Sequence, residues 1–517
     1  MDKNRVAAID IGSRAIRMTI AEVVNDKIEI LEEVSLSVRL GKDSFDKGRI
    51  LRPTIDESIQ ILRKYKNLCE EYKVDRIRAV ATTAVREATN FDIFLDNILT
   101  NTGISVEILS ITKETELIYK AISEKIKNNK SFKKENYHSI VEIGSGSVEI
   151  SIFKDEFIIF SRTLPLGALK MKQIFSKATN IEENFFNYLK VMVEHELRNL
   201  KREIPVSSVE FFHGISSELE HIFLLINKKE NSPDIKYIEV EDLRNICNKM
   251  QGYTEEELIH KLDVPYDMSE TFYPISLMFL KIADFFKCSK IYIPDISLRD
   301  GLLYDMISKK DNNFFNYLEK QLEISSINIG RSFNFDENHS LKVKELALKL
   351  FDKTKFLHQL GEIERCYLLV ASILHDIGSA ISNSSHHKHS LYIIKTKNFF
   401  YLNENEVKII ANVARYHRRS IPKNTHQDYM ELSNRDRMIV MKLASILRIA
   451  DSLDNTHLQL VSDIDLIKEN DQLYLITYVN DQIFAELYSF KYKRDLFEMF
   501  FGVNIKLRIK KIKNGDS

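Results

Sequence analysis

The sequence predicts an α/β protein that carries an all-α region behind it and a small α+β segment at its end. Three observations lead there. Strand-like and helix-like patterns alternate through residues 1–310, helical periodicity takes over from about 311 to 460, and residues 461–517 return to strand–strand–helix–strand. Sheets flanked by helices bury the apolar faces of such an alternation, and apolar residues at three- and four-residue spacing mark a helical bundle.

The elements follow in order. Residues 5–11 and 15–24 read as strands joined by a turn at Gly12 and Ser13, and residues 27–40 add a third with β-branched alternation. Pro53 opens a helix that runs to about Tyr72, because proline fits a first helical turn. Residues 76–81 form another strand, followed by a helix from about Ala84. A second cycle begins at Tyr137 and ends in a helix over 300–309. The polar stretch near 311–320 reads as a linker. Helices are then predicted over 341–357, 364–375, 404–417 and 435–453, and strands over 473–478 and 504–509. The implied domains are 1–125, 126–310, 311–460 and 461–517.

A chain of 517 residues is too long for one core. Hydrophobic content of 44% and charged content of 29% suit a folded protein rather than a disordered one. A formal charge of −1 argues against nucleic acid or a membrane surface as the partner. The four cysteines stand far apart without a CxxC pair, which fits reduced thiols in a cytoplasmic protein. No apolar run is long enough to cross a bilayer, and no signal-peptide pattern opens the chain.

One internal repeat carries chemistry. DIGSRAIRMTI at 10–20 aligns without a gap onto EIGSGSVEISI at 142–152. Each places a carboxylate at a strand end, then a glycine–serine turn, then a second strand. Small turn residues let backbone N–H groups approach a phosphate, and the carboxylate can hold a divalent ion that offsets phosphoryl charge. One such hairpin is an ordinary strand exit; two facing each other would clamp a phosphate chain.

At this point a family resemblance becomes specific. AAIDIGSRAIR (7–17) resembles the first phosphate loop of the exopolyphosphatase/guanosine pentaphosphate phosphatase (Ppx/GppA) family. AVATTAVREATN (79–90), VEIGSGSVE (141–149) and SLRDGLLY (297–304) resemble its later motifs in the family's order. The resemblance implies an actin-like, ribonuclease H-like core of two lobes. It implies Asp10 and Glu142 at a Mg²⁺, and Gly12, Ser13, Gly144, Ser145, Gly146, Ser147 and Glu149 at the phosphates. It also implies Arg86 as a phosphate-binding arginine and Glu114 as the carboxylate that activates water, with Glu116 as its rival. Glu142 and Ser145 stand where the family has aspartate and glycine, His213 begins a segment that departs from Gly-Gly-Thr, and Arg14-Ala15 replaces Asn-Ser.

The helical region adds a second candidate set: His339, His375, Asp376, His386, His389, His417 and Asp451. Imidazoles with carboxylates are the ligands of one- or two-metal hydrolytic centres. ILHDIG, HHKHS, ARYHRR and LRIADSLD resemble the HD superfamily and the HD-type domain of long Ppx/GppA proteins, which implies a divalent metal there.

Together the resemblance implies a cytoplasmic, homodimeric hydrolase of phosphoric anhydrides. The leading expectation is an exopolyphosphatase that shortens inorganic polyphosphate by its terminal phosphoryl group. Guanosine pentaphosphate (pppGpp) on the same site is the first alternative. A metal-dependent nucleotide phosphohydrolase acting through the HD centre, with a binding-only front half, is the second.

Overall fold

A computed structural model of the chain describes residues 4–24, 27–126, 136–178, 185–226, 236–307, 312–418, 420–469 and 472–511. It divides into two compact units, 1–309 and 310–517.

The first unit holds two sheets. The first has five strands: β1 (Asn4–Ile11), β2 (Ala15–Val24), β3 (Lys27–Ser37), β4 (Arg76–Ala81) and β5 (Val106–Ile108), in the order β3-β2-β1-β4-β5. The second has β6 (His138–Ile143), β7 (Val148–Lys154), β8 (Phe157–Leu164), β9 (Phe211–Ile215), β10 (Lys236–Glu239) and β11 (Lys290–Ile293), in the order β10-β11-β9-β6-β7-β8. Set β10 aside and the two sheets have one topology. In each, an antiparallel three-strand meander leads through its first strand into parallel partners.

The repeat seen in sequence is therefore a repeat of whole sheets. Its two hairpins also share their register: Asp10 faces Arg17 and Ile11 faces Ile16, as Glu142 faces Glu149 and Ile143 faces Val148. Gly12 N–H donates to Ala15 O at 3.0 Å, and Gly144 N–H donates to Ser147 O at 3.0 Å. The buried run Val6–Ile9 belongs to a central strand covered on both faces, so it is continuously apolar rather than alternating, and Asp10 follows it at the strand's end.

Three local expectations change. The third strand stops at Ser37, and Leu40–Lys47 is a short helix closed by Gly48 in the left-handed region (φ 67°). The polar stretch read as a linker is helical from Asn312 to Ser332, and its residue 311 lies outside the described residues. The returning helix, Leu298–Ile307, packs on the helix Ile111–Ile126 and on β1 of the first sheet rather than staying with the second. Gly301 permits that approach, since a Cβ there would sit 2.2 Å from Leu117 O. Asp305 then accepts from Arg78 at 2.7 Å and from Lys120 at 3.0 Å.

The second unit is a bundle that includes Glu337–Lys353, Glu362–Leu374, His386–Lys395, Glu404–Arg415 and Asn434–Ser452, with a three-stranded sheet of β12 (Val461–Glu469), β13 (Gln472–Val479) and β14 (Asn504–Lys511). The sheet shares one core with the helices: Leu473, Leu475, Phe497 and Ile505 pack in the same cluster as Leu346, Val370 and Leu447. The fully buried Arg448 of the last bundle helix donates to Asp495 Oδ1 at 2.6 Å, at the start of the helix Asp495–Phe501 that precedes β14. Helix starts follow local chemistry, with Asn403 and Glu406 forming a reciprocal capping box and Ser433 capping the last bundle helix. Among the described residues, no helix is long and apolar enough to cross a membrane, and the four cysteines are free.

Candidate active site

The two hairpin turns of the first unit line one cleft of about 300 Å³, the size of a small-ligand site. Asp10, Gly12 and Ser13 line it from the first sheet, and Glu142, Gly144, Ser145, Gly146, Ser147 and Glu149 from the second. Glu114, from the first turn of the helix Ile111–Ile126, lines it as well. Glu116 does not; it is turned to Lys113.

Arg86 takes a different place from the phosphate contact expected of it. It is not among the lining residues, and its guanidinium donates to Leu109 O (2.7 Å), Thr83 Oγ1 (3.0 Å) and Glu114 Oε2 (3.2 Å). It fixes the Glu114 carboxylate from behind. The arginines that do line the cleft are Arg14, Arg17 and Arg299, with Thr82, Thr83, Ser216, Ser217, Glu218 and Glu220. Sequence reasoning passes over Arg17 and Arg299. The repeat carries a signal for Arg17, which occupies the place of Glu149 and lies 3.6 Å from Asp10.

Two departures from the family pattern resolve into structure. Arg14 reaches the second sheet's side of the cleft and donates to Glu218 Oε1 (2.8 Å), Thr271 Oγ1 (2.9 Å) and Ser217 Oγ (3.3 Å). Burial pushes the Glu218 carboxyl up, but Arg14 and Thr271 outweigh it and hold the group below its usual value. The charge of Arg14 is thus committed to a buried carboxylate. His213 is core: its Nε2 lies 3.2 Å from His138 Nδ1, and burial pushes its pKa down to about 3.

The second loop depends on close backbone approach. A Cβ on Gly167 would fall 2.0–2.5 Å from the backbone of Gly146. The N–H groups of Ala168, Leu169 and Lys170 donate to the carbonyls of Gly144 and Ser145 at 3.1–3.3 Å. Gly167→Ala is therefore expected to displace the loop and lower kcat/KM about 10²-fold, as an ångström-scale misplacement does. Steady-state phosphate release checks this.

Four carboxylates crowd together in the cleft: Asp10, Glu114 and Glu149 are buried and Glu142 is half-buried. Burial raises Asp10, and it raises Glu114 to about 7, where Arg86 opposes it and Asp10 adds to it. Burial and the neighbouring Glu114 lift Glu149 to about 8, and burial with Glu149, Glu114 and Asp10 holds Glu142 well above its usual value. Mutually repelling buried oxygen ligands are the donor set of a hard divalent cation, so these residues fit Mg²⁺.

These shifts link the stability of the first unit to pH. Each folded value lies above the unfolded value, so between about pH 4.5 and 8 the folded state binds more protons than the unfolded state. The stability is fully present below the unfolded values and is lost as pH rises through the folded ones. Without divalent ions, the melting temperature of the first unit is expected to fall from about pH 5 to about pH 8.5. Added Mg²⁺ should restore it at the upper end. Calorimetry of wild type and Glu142→Gln/Glu149→Gln checks this, with the double variant showing the shallower fall.

The Ppx/GppA phosphatase family matches residues 19–310, more than half of the chain. The chain belongs to the Ppx/GppA phosphatase family. Domain III of Ppx/GppA phosphatases matches residues 323–484, the helical unit. A Ppx/GppA family member from Aquifex aeolicus superposes with a TM-score of 0.50 at 26% identity, covering 59% of this chain and 97% of that one. The chain is 23% identical to a guanosine-5'-triphosphate,3'-diphosphate pyrophosphatase of Pseudoalteromonas translucida, over 87% of this chain and 86% of the relative. It is 25% identical to one of Pseudoalteromonas atlantica, over 86% and 85%. As a Ppx/GppA phosphatase it is a hydrolase of phosphoric anhydrides.

In domain III, the structure brings together six of the seven residues singled out there. His339, His375 and Asp376 form one group of ligand atoms, Asp376, His386 and His417 a second, and Asp451 Oδ1 lies 3.7 Å from Nε2 of both His339 and His375. His389 is in neither group, and its Cβ packs over Gly378.

Proposed function

We propose that this Ppx/GppA phosphatase is an exopolyphosphatase, removing the terminal phosphoryl group of inorganic polyphosphate in the cleft between its two sheets. The observation that carries this reading is the lining. It consists of two glycine–serine turns of identical register, carboxylates and arginines, and no aromatic ring stands among the described lining residues to stack on a base.

Asp10, Glu142 and Glu149 would hold Mg²⁺, which when bound offsets phosphoryl charge. The N–H groups of the two turns other than those of Gly12 and Gly144, which close the turns themselves, bind the terminal phosphates from opposite sides. Glu114, raised to about 7, accepts a proton from a water as its oxygen attacks the terminal phosphorus. The bond from that phosphorus to the bridging oxygen breaks, and orthophosphate leaves with a chain shorter by one. Arg86 holds the carboxylate in position, while Arg17 and Arg299 place positive charge in the cleft. The same reading takes domain III as HD-type and the protein as a cytoplasmic homodimer; its four free cysteines suit that compartment.

A second reading, pppGpp as substrate, is favoured by the names of the two relatives. Its terminal phosphoanhydride presents the same reacting group. Phosphate release from pppGpp, measured with and without long polyphosphate, separates the two. The first reading expects polyphosphate to be hydrolysed and to suppress pppGpp turnover. Turnover of pppGpp alone, unaffected by polyphosphate, sinks it.

A further inference from the structure

Each turn of the repeat meets the opposite lobe, and the two meetings fall at equivalent places. In the alignment of 10–20 with 142–152, Arg14 corresponds to Gly146. Parallel pairing sets Val80 beside Asp10 and Ile215 beside Glu142, so Thr83, three residues on, is the counterpart of Glu218. Gly146 lies against Thr83, and Arg14 reaches Glu218. All four residues line the cleft, which therefore has two crossings related by the repeat.

The crossings differ in kind. At the first, the lobes touch directly: a Cβ on Gly146 would fall 2.7 Å from Thr83 Cγ2 and 3.0 Å from Phe45 Cζ. At the second, two long side chains span the gap. Arg14 Nη1 donates to Glu218 Oε1 at 2.8 Å and to Thr271 Oγ1 at 2.9 Å, and the Thr271 hydroxyl donates to the same Oε1 at 2.7 Å. Both ends of this span are fixed. The Arg14 carbonyl accepts from Val38 N–H at 2.9 Å and the Ser13 carbonyl from Gly41 N–H at 2.8 Å, while Glu218 and Thr271 are each 1% exposed. The second crossing is thus closed by side chains alone. Because the guanidinium is spent on Glu218, the span adds bulk to the wall rather than free charge for a phosphate.

We propose that the Arg14–Glu218 pair is a specificity-determining bar that closes the second crossing against a nucleoside and leaves the cleft to an unsubstituted phosphate chain. The inference rests on the exopolyphosphatase reading above and names how that site rejects the alternative substrate. A phosphate chain has the same narrow section along its length, whereas a nucleoside adds a ring system that needs an opening between the lobes. The bar fills that opening, so discrimination comes from a clash with the wrong substrate rather than from an added contact to the right one.

Steady-state phosphate release from long polyphosphate and from pppGpp tests this. Arg14→Ala/Glu218→Thr shortens both arms and leaves no buried charge. Its kcat/KM for pppGpp relative to polyphosphate is expected to rise about tenfold over wild type. Arg14→Gln/Glu218→Gln keeps two long arms without charge and should hold the wild-type ratio, which separates a steric bar from the loss of a guanidinium. Wild type alone supplies a further reading that stands if the shortened variant fails to fold: tripolyphosphate should inhibit polyphosphate hydrolysis about tenfold more tightly than pppGpp does. An unchanged ratio in the shortened variant, an equal rise in both variants, or equal inhibition by the two compounds overturns the bar and leaves the exopolyphosphatase reading standing. Wild type that releases no phosphate from polyphosphate overturns that reading, and the bar with it, before any variant is compared.

Discussion

Glu114→Gln is expected to lower phosphate release by about 10²–10⁴-fold, the range that a positioned general base contributes. The glutamine keeps the shape and the Arg86 contact but cannot take a proton. Glu116→Gln should change the rate little, since Glu116 is turned to Lys113 and away from the cleft lining. The pH profile supplies an independent check. A base raised to about 7 must be ionised to act, so wild-type kcat/KM should climb towards about pH 7 and then level. That limb should vanish in the residual activity of Glu114→Gln. Single-turnover phosphate release reads both. A variant with most of the wild-type rate would remove Glu114 from the mechanism.

Arg14→Ala is expected to cost about 3–5 kcal/mol, because it strands Glu218 as an uncompensated charge inside the protein. Glu218 is 1% exposed, and Arg14 is a charged partner 2.8 Å away that ties the turn after β1 to the helix Ser217–Ile226. The double variant Arg14→Ala/Glu218→Gln should recover part of the loss, since a neutral amide is cheaper to bury than an ion. Urea unfolding of wild type, both single variants and the double variant forms a cycle that isolates the pair. A coupling near zero would mean that Arg14 contributes no more than a surface arginine.

The cleft was legible in part, and particular residues show why. The repeat sets matching turns between paired strands, and turns of matching length share a register; Asp10 and Glu142 therefore followed from pattern, and Glu149 from the family resemblance. The placement of Arg86 did not. Its motif is local, but the carbonyl that captures it belongs to Leu109 at the end of the next strand–loop segment. Arg299 lay further out of reach: it donates to Thr19, 280 residues away, and does so only because its helix returns to the first sheet. In domain III the residue types announced a ligand set, yet helical spacing also admitted His389, which packs over Gly378 instead.

By itself, then, the sequence determined the strand and helix periods, the duplicated hairpins and the kinds of group available for chemistry. All of these depend on contacts within a few residues or on a repeated local pattern. Only the tertiary structure decided which charges face the cleft, which are spent on one another across it, and which ring nitrogens meet. Those outcomes depend on how distant elements pack, and burial then sets the pKa values of the carboxylates that packing brings together.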